Sequence, residues 1–350
     1  MKNKYFGLIM AGGQGTRFWP YSTEEVPKQF LNIVGNQPLI LQTYNRLKRF
    51  IRPENIYIVA DNKYLEQTKK SIPGFSDSNF IAEPFPKNTA PCLILANIVL
   101  SRIDENANLL VVPADHYIPD IEIFAEQMQD ALKFADQRYI ITSGIKPHLP
   151  HTGYGYINFD DSRYTQVNKT NFFKVKEFKE KPCLPLAKKY VSRGNYYWNS
   201  GMFVYKLKFF KDFLKKYACD YYKKYIQLED TFDDEQKFRD IFSQLTKESI
   251  DYALMEKVKE LMMFPGSFSW NDVGAWSSVY ELNAKDNQNN VKIDGHVVID
   301  TKNSLLFSTE NKTIAAIGLE NMVVINTKNG ILVAPMDKLQ KVKEVIPFLK

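Results

Sequence analysis

Along the first 150 positions, unbroken apolar runs alternate with stretches in which apolar residues recur every three or four positions. The runs at 5–11, 55–60, 79–82, 108–113 and 139–144 predict strands, and the stretches at 38–50, 63–71, 89–103 and 121–135 predict helices. Strands alternating with helices in this way point to a parallel sheet covered on both faces. Such sheets bind ligands at the carboxyl ends of their strands, so each strand-to-loop junction is a candidate site. After 150 the alternation loosens. Strands are expected at 172–178 and 202–205, helices at 184–191 and 209–217, and a charged helical region over 227–260.

The polar, turn-rich stretch 283–290 (NAKDNQNN) reads as a linker. Beyond it five apolar segments follow one another roughly ten residues apart: GHVVID, NSLLFST, KTIAAIG, NMVVINT and GILVAP. They predict a small all-β module, a rolled sheet or a β-helix, closed by a helix over 336–349. The pattern divides the chain into residues 1–285 and a β-rich module at 286–350.

Composition narrows the class. Of 350 residues, 44% are hydrophobic and 25% charged, the ordinary balance of a globular protein, which excludes disorder and fibrous repeats. Three scattered cysteines, Cys92, Cys183 and Cys219, are too few for a disulfide framework or a structural zinc site and suit a reducing compartment. Lys2 and Lys4 precede the apolar run 5–11, but no small-residue cleavage site follows. The uncharged, largely apolar stretch 88–101 is too short to span a bilayer. A cytoplasmic protein without a membrane segment is expected.

The net charge of +6 is unevenly placed. Residues 138–216 carry sixteen Lys or Arg against five Asp or Glu, so that segment is +11 and the remainder −5. Most of these lysines read as a solvated face. No nucleic-acid signature accompanies them, so nucleic acid is not an expected partner, whereas phosphorylated small molecules stay open.

The first junction is Leu8-Ile9-Met10-Ala11-Gly12-Gly13-Gln14-Gly15-Thr16-Arg17. Glycines after a strand let backbone N–H groups approach a phosphate closely. The loop lacks the Gly-Lys-Ser/Thr of a Walker loop, and the last glycine of a dinucleotide fingerprint would fall at Phe18. Arg17 and Lys28 downstream suit a triphosphate, and a plain tight turn is the alternative. In Val111-Val112-Pro113-Ala114-Asp115-His116 the strand ends on a carboxylate, the usual place for a Mg²⁺ ligand that meets substrate phosphates, although Asp115 has the alternative of capping the next helix. His116 beside it reads as a packing or hydrogen-bonding residue. Asp272, in Ser269-Trp270-Asn271-Asp272-Val273-Gly274, is a second carboxylate that would suit the same cation, with a turn role as its alternative. Glu180 and Lys181 precede Pro182 at a strand end. Thr152-Gly153-Tyr154-Gly155-Tyr156 and Trp198-Asn199-Ser200-Gly201-Met202 offer the close backbone approach and amide partners that a sugar needs.

In this order, the glycine loop with Arg17, PKQF, PKNTAP, PADH, TGYGYI, EKP, WNSGMF and WNDVG together resemble the sugar nucleotidyltransferases, in particular the branch that makes GDP-mannose. The resemblance covers essentially the whole chain. It implies an α/β, Rossmann-like nucleotidyltransferase fold with a mixed, mainly parallel sheet, plus a small C-terminal β-helix-like module. It implies GTP and mannose 1-phosphate as substrates, GDP-mannose and pyrophosphate as products, Mg²⁺ as cofactor and a homodimer. On matching positions Gly12, Gly13, Gly15, Thr16 and Arg17 would cradle the triphosphate and Lys28 would reach the α-phosphate. Asp115 and Asp272 would hold Mg²⁺. Lys181 would neutralise the sugar phosphate, while Gly153, Glu180 and Asn199 would hold the hexose. Glu83 would read guanine from the loop 83–89, with Asn88 and Thr89 beside the nucleotide. Another sugar phosphate or nucleoside triphosphate, and a non-catalytic sugar-nucleotide sensor, are the competing implications. Lys87, His151, Phe18 and Tyr21 depart from the family's usual residues, and the isomerase domain of longer relatives is not in this sequence, which implies a single activity.

Overall fold

Where the apolar runs are unbroken, the chain forms strands buried on both faces. The computed structural model describes residues 4–13, 15–293 and 295–349; Lys2 and Gln14, named above, lie outside the described residues. By packing, the chain forms two compact units, one of residues 1–12, 44–114 and 118–270, the other of residues 13–43, 115–117 and 271–350.

The first unit is built on nine strands among the described residues: β1 (Tyr5–Met10), β2 (Ile56–Asp61), β3 (Phe80–Glu83), β4 (Asn108–Pro113), β5 (Ile140–Ile145), β6 (Tyr156–Val167), β7 (Thr170–Lys179), β8 (Tyr196–Lys206) and β9 (Leu261–Pro265). Their order is β3-β2-β1-β4-β8-β5-β9-β7-β6. The β3-β2-β1-β4 portion is parallel, as alternation predicts. The sheet then turns mixed, because β8 runs antiparallel to both β4 and β5, and the β6–β7 hairpin is antiparallel to its neighbours. The helix Thr89–Asp104 has ten buried residues in its sixteen, which is why its sequence reads as almost uniformly apolar. Phe6, Leu8, Leu93, Val111, Phe203 and Tyr205 share its core.

The expected helical region over 227–260 is corrected. It holds the end of one helix (Cys219–Asp230), a second short helix (Glu235–Ser243) and a π-turn at Asp251–Met255. Asp234 interrupts it by accepting a hydrogen bond from the Lys237 N–H at 3.1 Å, an N-cap that starts a new helix. The strand β6 escapes the apolar-run rule because its far half is solvent-exposed and carries Asp160, Asp161, Ser162 and Arg163.

In the second unit, β10 (Val291–Ile293), β12 (Leu305–Ser308) and β14 (Met322–Thr327) stack in parallel, and so do β11 (Val297–Ile299) and β13 (Ala315–Ile317). Successive strands coiling between two parallel sheets give the β-helix alternative, and the last strand, β15 (Gly330–Pro335), closes it antiparallel to β14. Val291, Leu305, Phe307, Val323 and Ile325 of this coil share a core with Phe18, Leu31, Ile33, Leu39 and Trp276. Trp276 is fully buried, its ring 5.3 Å from Phe18 and 5.2 Å from Phe307, and its indole N–H donates to the Trp19 carbonyl at 3.2 Å. The closing helix over 336–349 is also corrected. The chain forms 3₁₀ turns, Met336–Glu344 and Ile346–Phe348, in which Leu339 and Val342, three apart, are the buried residues. That spacing matches a three-residue turn.

Among the described residues no helix is long and apolar enough to cross a membrane. Removing the central indole should cost about 3–5 kcal/mol, the usual penalty for an aromatic-to-alanine cavity. Denaturant unfolding of Trp276→Ala should therefore show a large drop in stability, and a change below about 1 kcal/mol would contradict the packing described.

Candidate active site

The glycine loop bends where only glycine fits. Gly15 has φ +64°, in the left-handed region, and a Cβ built there would lie 2.3 Å from Lys28 Cβ. The following 3₁₀ turn, Thr16–Phe18, sends Phe18 into the core and leaves Arg17 exposed. Pro27 precedes a second such turn, Lys28–Phe30, all of it buried.

Lys28 is the centre of this part of the second unit. Its ammonium donates to Asp115 Oδ2 at 2.8 Å and to the Asp272 carbonyl at 2.7 Å, and the residue is 5% exposed. Two backbone hydrogen bonds between Tyr117 and Asn271, at 2.9 and 3.0 Å, tie the PADHY and WNDVG segments together. Asn271 Oδ1 accepts from the Val273 N–H at 2.7 Å and braces a turn in which Val273 takes φ +47°, a conformation that β-branched residues seldom adopt. The Asp272 carboxylate lies against Gly274, where a Cβ would come within 2.9 Å of it. Gly15, Thr16, Arg17, Lys28, Asp115 and Asp272 line one polar cavity. Burial works against ionisation of Asp115, but the charges of Lys28 and His116 outweigh it and hold its carboxyl below the usual range. The capping alternative for Asp115 falls away, because the next helix begins only at Ile121, after Asp120.

The donors here are oxygens. Among the described residues no group of three or more His, Cys, Asp or Glu gathers, so the protein would supply a cation with two carboxylates and leave other positions to phosphate and water. That is how Mg²⁺ usually binds at phosphoryl sites, and the residues fit it.

In the first unit, Glu83 ends β3 beside Gly12, where a Cβ would stand 3.4 Å from Glu83 Oε2. Its Oε1 is buried without a hydrogen-bond partner among the described residues. Burial, assisted by the charge of Asp61, pushes its carboxyl up to about 7, although the Cys92 thiol bonds to it. Asn88 (φ +73°) caps the helix Thr89–Asp104 by accepting from the Thr89 N–H at 2.8 Å, and Thr89 Oγ1 accepts from the Ile250 N–H at 2.9 Å. Both side chains therefore also shape the loop. Lys87 donates to the carbonyls of Ser243 and Leu245, so this departure from the family pattern braces the chain.

Glu180 and Lys181 follow β7, with Lys181 at φ +44° and its ammonium 2.7 Å from Glu180 Oε1. Glu180 packs over Gly155, where a Cβ would fall 2.5 Å from Glu180 Oε2, and the Asn199 N–H donates to the Gly155 carbonyl at 2.8 Å. Asn199 Oδ1 accepts from Thr142 Oγ1 and from the Gly201 N–H, both at 3.2 Å, and its Nδ2 donates to Asp251 Oδ1 at 3.0 Å. Gly153 donates its N–H to His151 Nδ1 at 3.1 Å, and the His151 ring stacks 4.0 Å from that of Tyr154. The structure thus gathers Arg17, Lys28, Asp115 and Asp272 in one unit, and Glu180, Lys181 and Asn199 in the other. Sequence reasoning passed over Asp251 and singled out Gly153 in the loop whose Gly155 packs under Glu180. A carboxylate inside the apolar stretch Ile250–Met255 was the available signal for Asp251.

Comparison with known proteins follows the same lines. The nucleotidyl transferase family model matches residues 6–289. A model described as MannoseP isomerase/GMP-like beta-helix domain matches residues 294–349. The chain is 35% identical over 369 aligned positions to a mannose-1-phosphate guanylyltransferase of Escherichia coli, covering 100% of this chain and 76% of that protein. It is 36% identical over 348 positions to one of Salmonella montevideo, covering 98% and 73%. A crystal structure from Thermus thermophilus, described as a mannose-1-phosphate geranyltransferase, superposes with a TM-score of 0.88 at 29% identity and covers 99% of both chains.

A carboxyl raised from 4.5 to about 7 binds its proton more tightly folded than unfolded, so ionisation opposes folding as pH rises through that window. Glu83→Gln should therefore be the more stable protein near pH 8, by on the order of 1–3 kcal/mol, and should lose that advantage below about pH 4. Equal stability of the two proteins across the range, by denaturant titration, would mean that the carboxylate is not held against its preference.

Proposed function

The chain belongs to the nucleotidyl transferase family, among relatives that are mannose-1-phosphate guanylyltransferases, and on that premise we propose that it transfers GMP from GTP to α-D-mannose 1-phosphate, giving GDP-mannose and pyrophosphate. The observation that carries the reading is the meeting of Asp115 and the Asp272 segment on the Lys28 ammonium, beside the glycine loop.

The glycines Gly12, Gly13 and Gly15, with Thr16, offer backbone N–H groups to the triphosphate, and exposed Arg17 binds its outer phosphates. An oxygen of the sugar phosphate attacks the α-phosphorus of GTP. The new P–O bond forms as the bond from the α-phosphorus to the bridging oxygen breaks, and pyrophosphate departs with the electron pair. The nucleophile is already an anion, so no side chain need remove a proton. Alignment and charge neutralisation are the work left to the protein. Lys28 reaches the α-phosphate, and Asp115 and Asp272 hold the cofactor, Mg²⁺. Bound there, the cation supplies charge neutralisation to the phosphate oxygens. Lys181 steadies the attacking phosphate, while Glu180, Gly153 and Asn199 hold the hexose hydroxyls. Asn199 has its carbonyl oxygen committed to the fold, so its contribution to a hydroxyl is an N–H.

Glu83 is assigned to the base. A buried, partnerless carboxylate oxygen suits a ligand edge that presents two N–H donors side by side, as guanine does through N1 and its exocyclic amine. Asn88 and Thr89 shape the loop that carries it. Cys92, Cys183 and Cys219 form no disulfide, which supports a reducing, cytoplasmic setting. Exposed Ile299, Ile317 and Val333 of the second unit support a homodimer, which a monomeric mass by light scattering would overturn.

Pyrophosphate release should be fastest with GTP and mannose 1-phosphate over a grid of nucleoside triphosphates and hexose or heptose 1-phosphates. It should fall at least about 10²-fold on chelation of divalent cations and in Asp115→Asn or Asp272→Asn. Inosine triphosphate, which lacks the exocyclic amine, should be the poorer substrate for the wild type, and Glu83→Gln should narrow that difference. Maximal release with another pair of substrates would displace the assignment of the base or sugar residues. Full activity in the two Asp variants would overturn the mechanism.

A further inference from the structure

The π-turn Asp251–Met255 grips the Glu180 turn from several points. Glu256, just beyond it, accepts a hydrogen bond from the Glu180 N–H at 2.8 Å. The Tyr252 hydroxyl lies 3.5 Å from the Glu180 carbonyl. Asp251 itself accepts from Asn199 Nδ2 at 3.0 Å. Single π-turns are uncommon and recur at functional sites, and here one converges with the left-handed Lys181 on the residues assigned above to the hexose and its phosphate.

We propose that Asp251 is a positioning residue of the sugar-phosphate site, one that fixes the Asn199 amide and must be neutral for the phosphate to bind well. The inference rests on the reading of Glu180, Lys181 and Asn199 as that site.

Charge makes the case. The groups around Asp251 are Glu180 and Lys181 on the turn after β7, the uncharged amide of Asn199 on β8, and Tyr252 and Glu256 on its own segment, with Lys179 3.7 Å from Glu256. Glu180 and Lys181 form an ion pair and cancel. Glu256 is matched by Lys179. The charge on Asp251 is therefore the one in surplus, and a phosphate seated on Lys181 would face it. Burial, reinforced by the Glu180 charge, pushes the Asp251 carboxyl up to about 7, so the surplus can be removed by a proton at physiological pH. A neutral carboxylic acid keeps an oxygen with which to accept from Asn199, so protonation removes the charge and retains the geometry.

The proton and the sugar phosphate should then bind together. Affinity should be highest where Asp251 is protonated and should fall as pH rises through its pKa. Asp251→Asn is neutral at every pH and keeps the acceptor for Asn199, so it reports the protonated form. The comparison to make is calorimetric binding of mannose 1-phosphate to the wild type and Asp251→Asn at about pH 6 and about pH 8. Taking the ratio of the two affinities cancels the ligand's own titration, since its phosphate has a second pKa near ~6. The variant should match the wild type at the lower pH and bind about tenfold more tightly at the higher one. A ratio that does not change with pH, or a variant weaker than wild type at both, overturns the inference and leaves the reaction standing. Failure of the wild type to bind any hexose 1-phosphate would overturn the sugar-phosphate reading and this inference with it. Infrared difference spectra of the ligand-free wild type provide a second check. A protonated-carboxyl band that Asp251→Asn lacks should disappear between the same two pH values, apart from the one expected of Glu83, and Glu180→Gln should move that loss to lower pH. Identical bands in the wild type and Asp251→Asn would also overturn the inference.

Discussion

A buried ammonium cannot stand alone, and the phosphate-facing part of the second unit is arranged around that constraint. Taking the Lys28 charge out of water is unfavourable unless oxygen atoms surround it. They come from two places far apart in the chain, the Asp115 carboxylate and the Asp272 carbonyl. Pairing them on one cation fixes the junction after β4 and the WNDVG turn in relation to each other, and Gly15 lies so close to Lys28 that the glycine loop must follow the same cation. Breaking one partner of such a pair typically costs more than its net attraction is worth, because the other charge is left stranded. The interaction therefore acts as an organiser of geometry more than as a source of stability.

The first unit applies the opposite strategy to its two telling carboxylates. Glu83 is buried with an oxygen that nothing satisfies among the described residues, and Asp251 is half-buried beside another acid. Both arrangements oppose folding, yet they hold chemical groups in a state that a ligand relieves. Evolutionary pressure toward stability alone would replace them, and proteins commonly retain such features where activity needs them. The ion pair of Glu180 with Lys181, on a left-handed residue, has the same character: local strain held in place by surroundings that over-determine it.

How much of this was legible in the sequence depends on the range of the interaction responsible. The parallel portion β3-β2-β1-β4 follows from period and burial, which are local. Asp115 and the glycines stand out because junctions after buried strands are recognisable in one dimension, and Lys28 only as a cation downstream of them. The β6–β7 hairpin was only half visible, since the exposed arm of a hairpin carries Asp160, Asp161 and Arg163 instead of an apolar run. The closing segment 336–349 was misread because two buried residues three apart satisfy a 3₁₀ turn as well as an α-helix. Asp251 was passed over for a different reason: its significance comes from Asn199 and Glu180, more than fifty residues away, and nothing in its immediate neighbours announces them. Function-bearing order along the chain was the compensating signal, because a set of short motifs in sequence carries information that no single one does.

The shared core of Phe18, Trp276 and the β-helix coil has a consequence for how the protein comes into being. Residues 13–43 leave the ribosome well ahead of their packing partners in the coil; Thr327 Oγ1 reaches the Pro20 carbonyl at 3.1 Å across 307 positions of chain. Until the coil is made, Phe18, Leu31 and Ile33 lack the partners that bury them, and contacts of such long range are slow to form. The nascent chain thus carries its future phosphate loop as an open, sticky segment, and the loop acquires its shape only when the final turns of the coil arrive. Synthesis of the coil is in this sense the event that arms the loop, and a ribosome that stops short of it leaves behind a chain with its glycine motif intact and its loop unshaped.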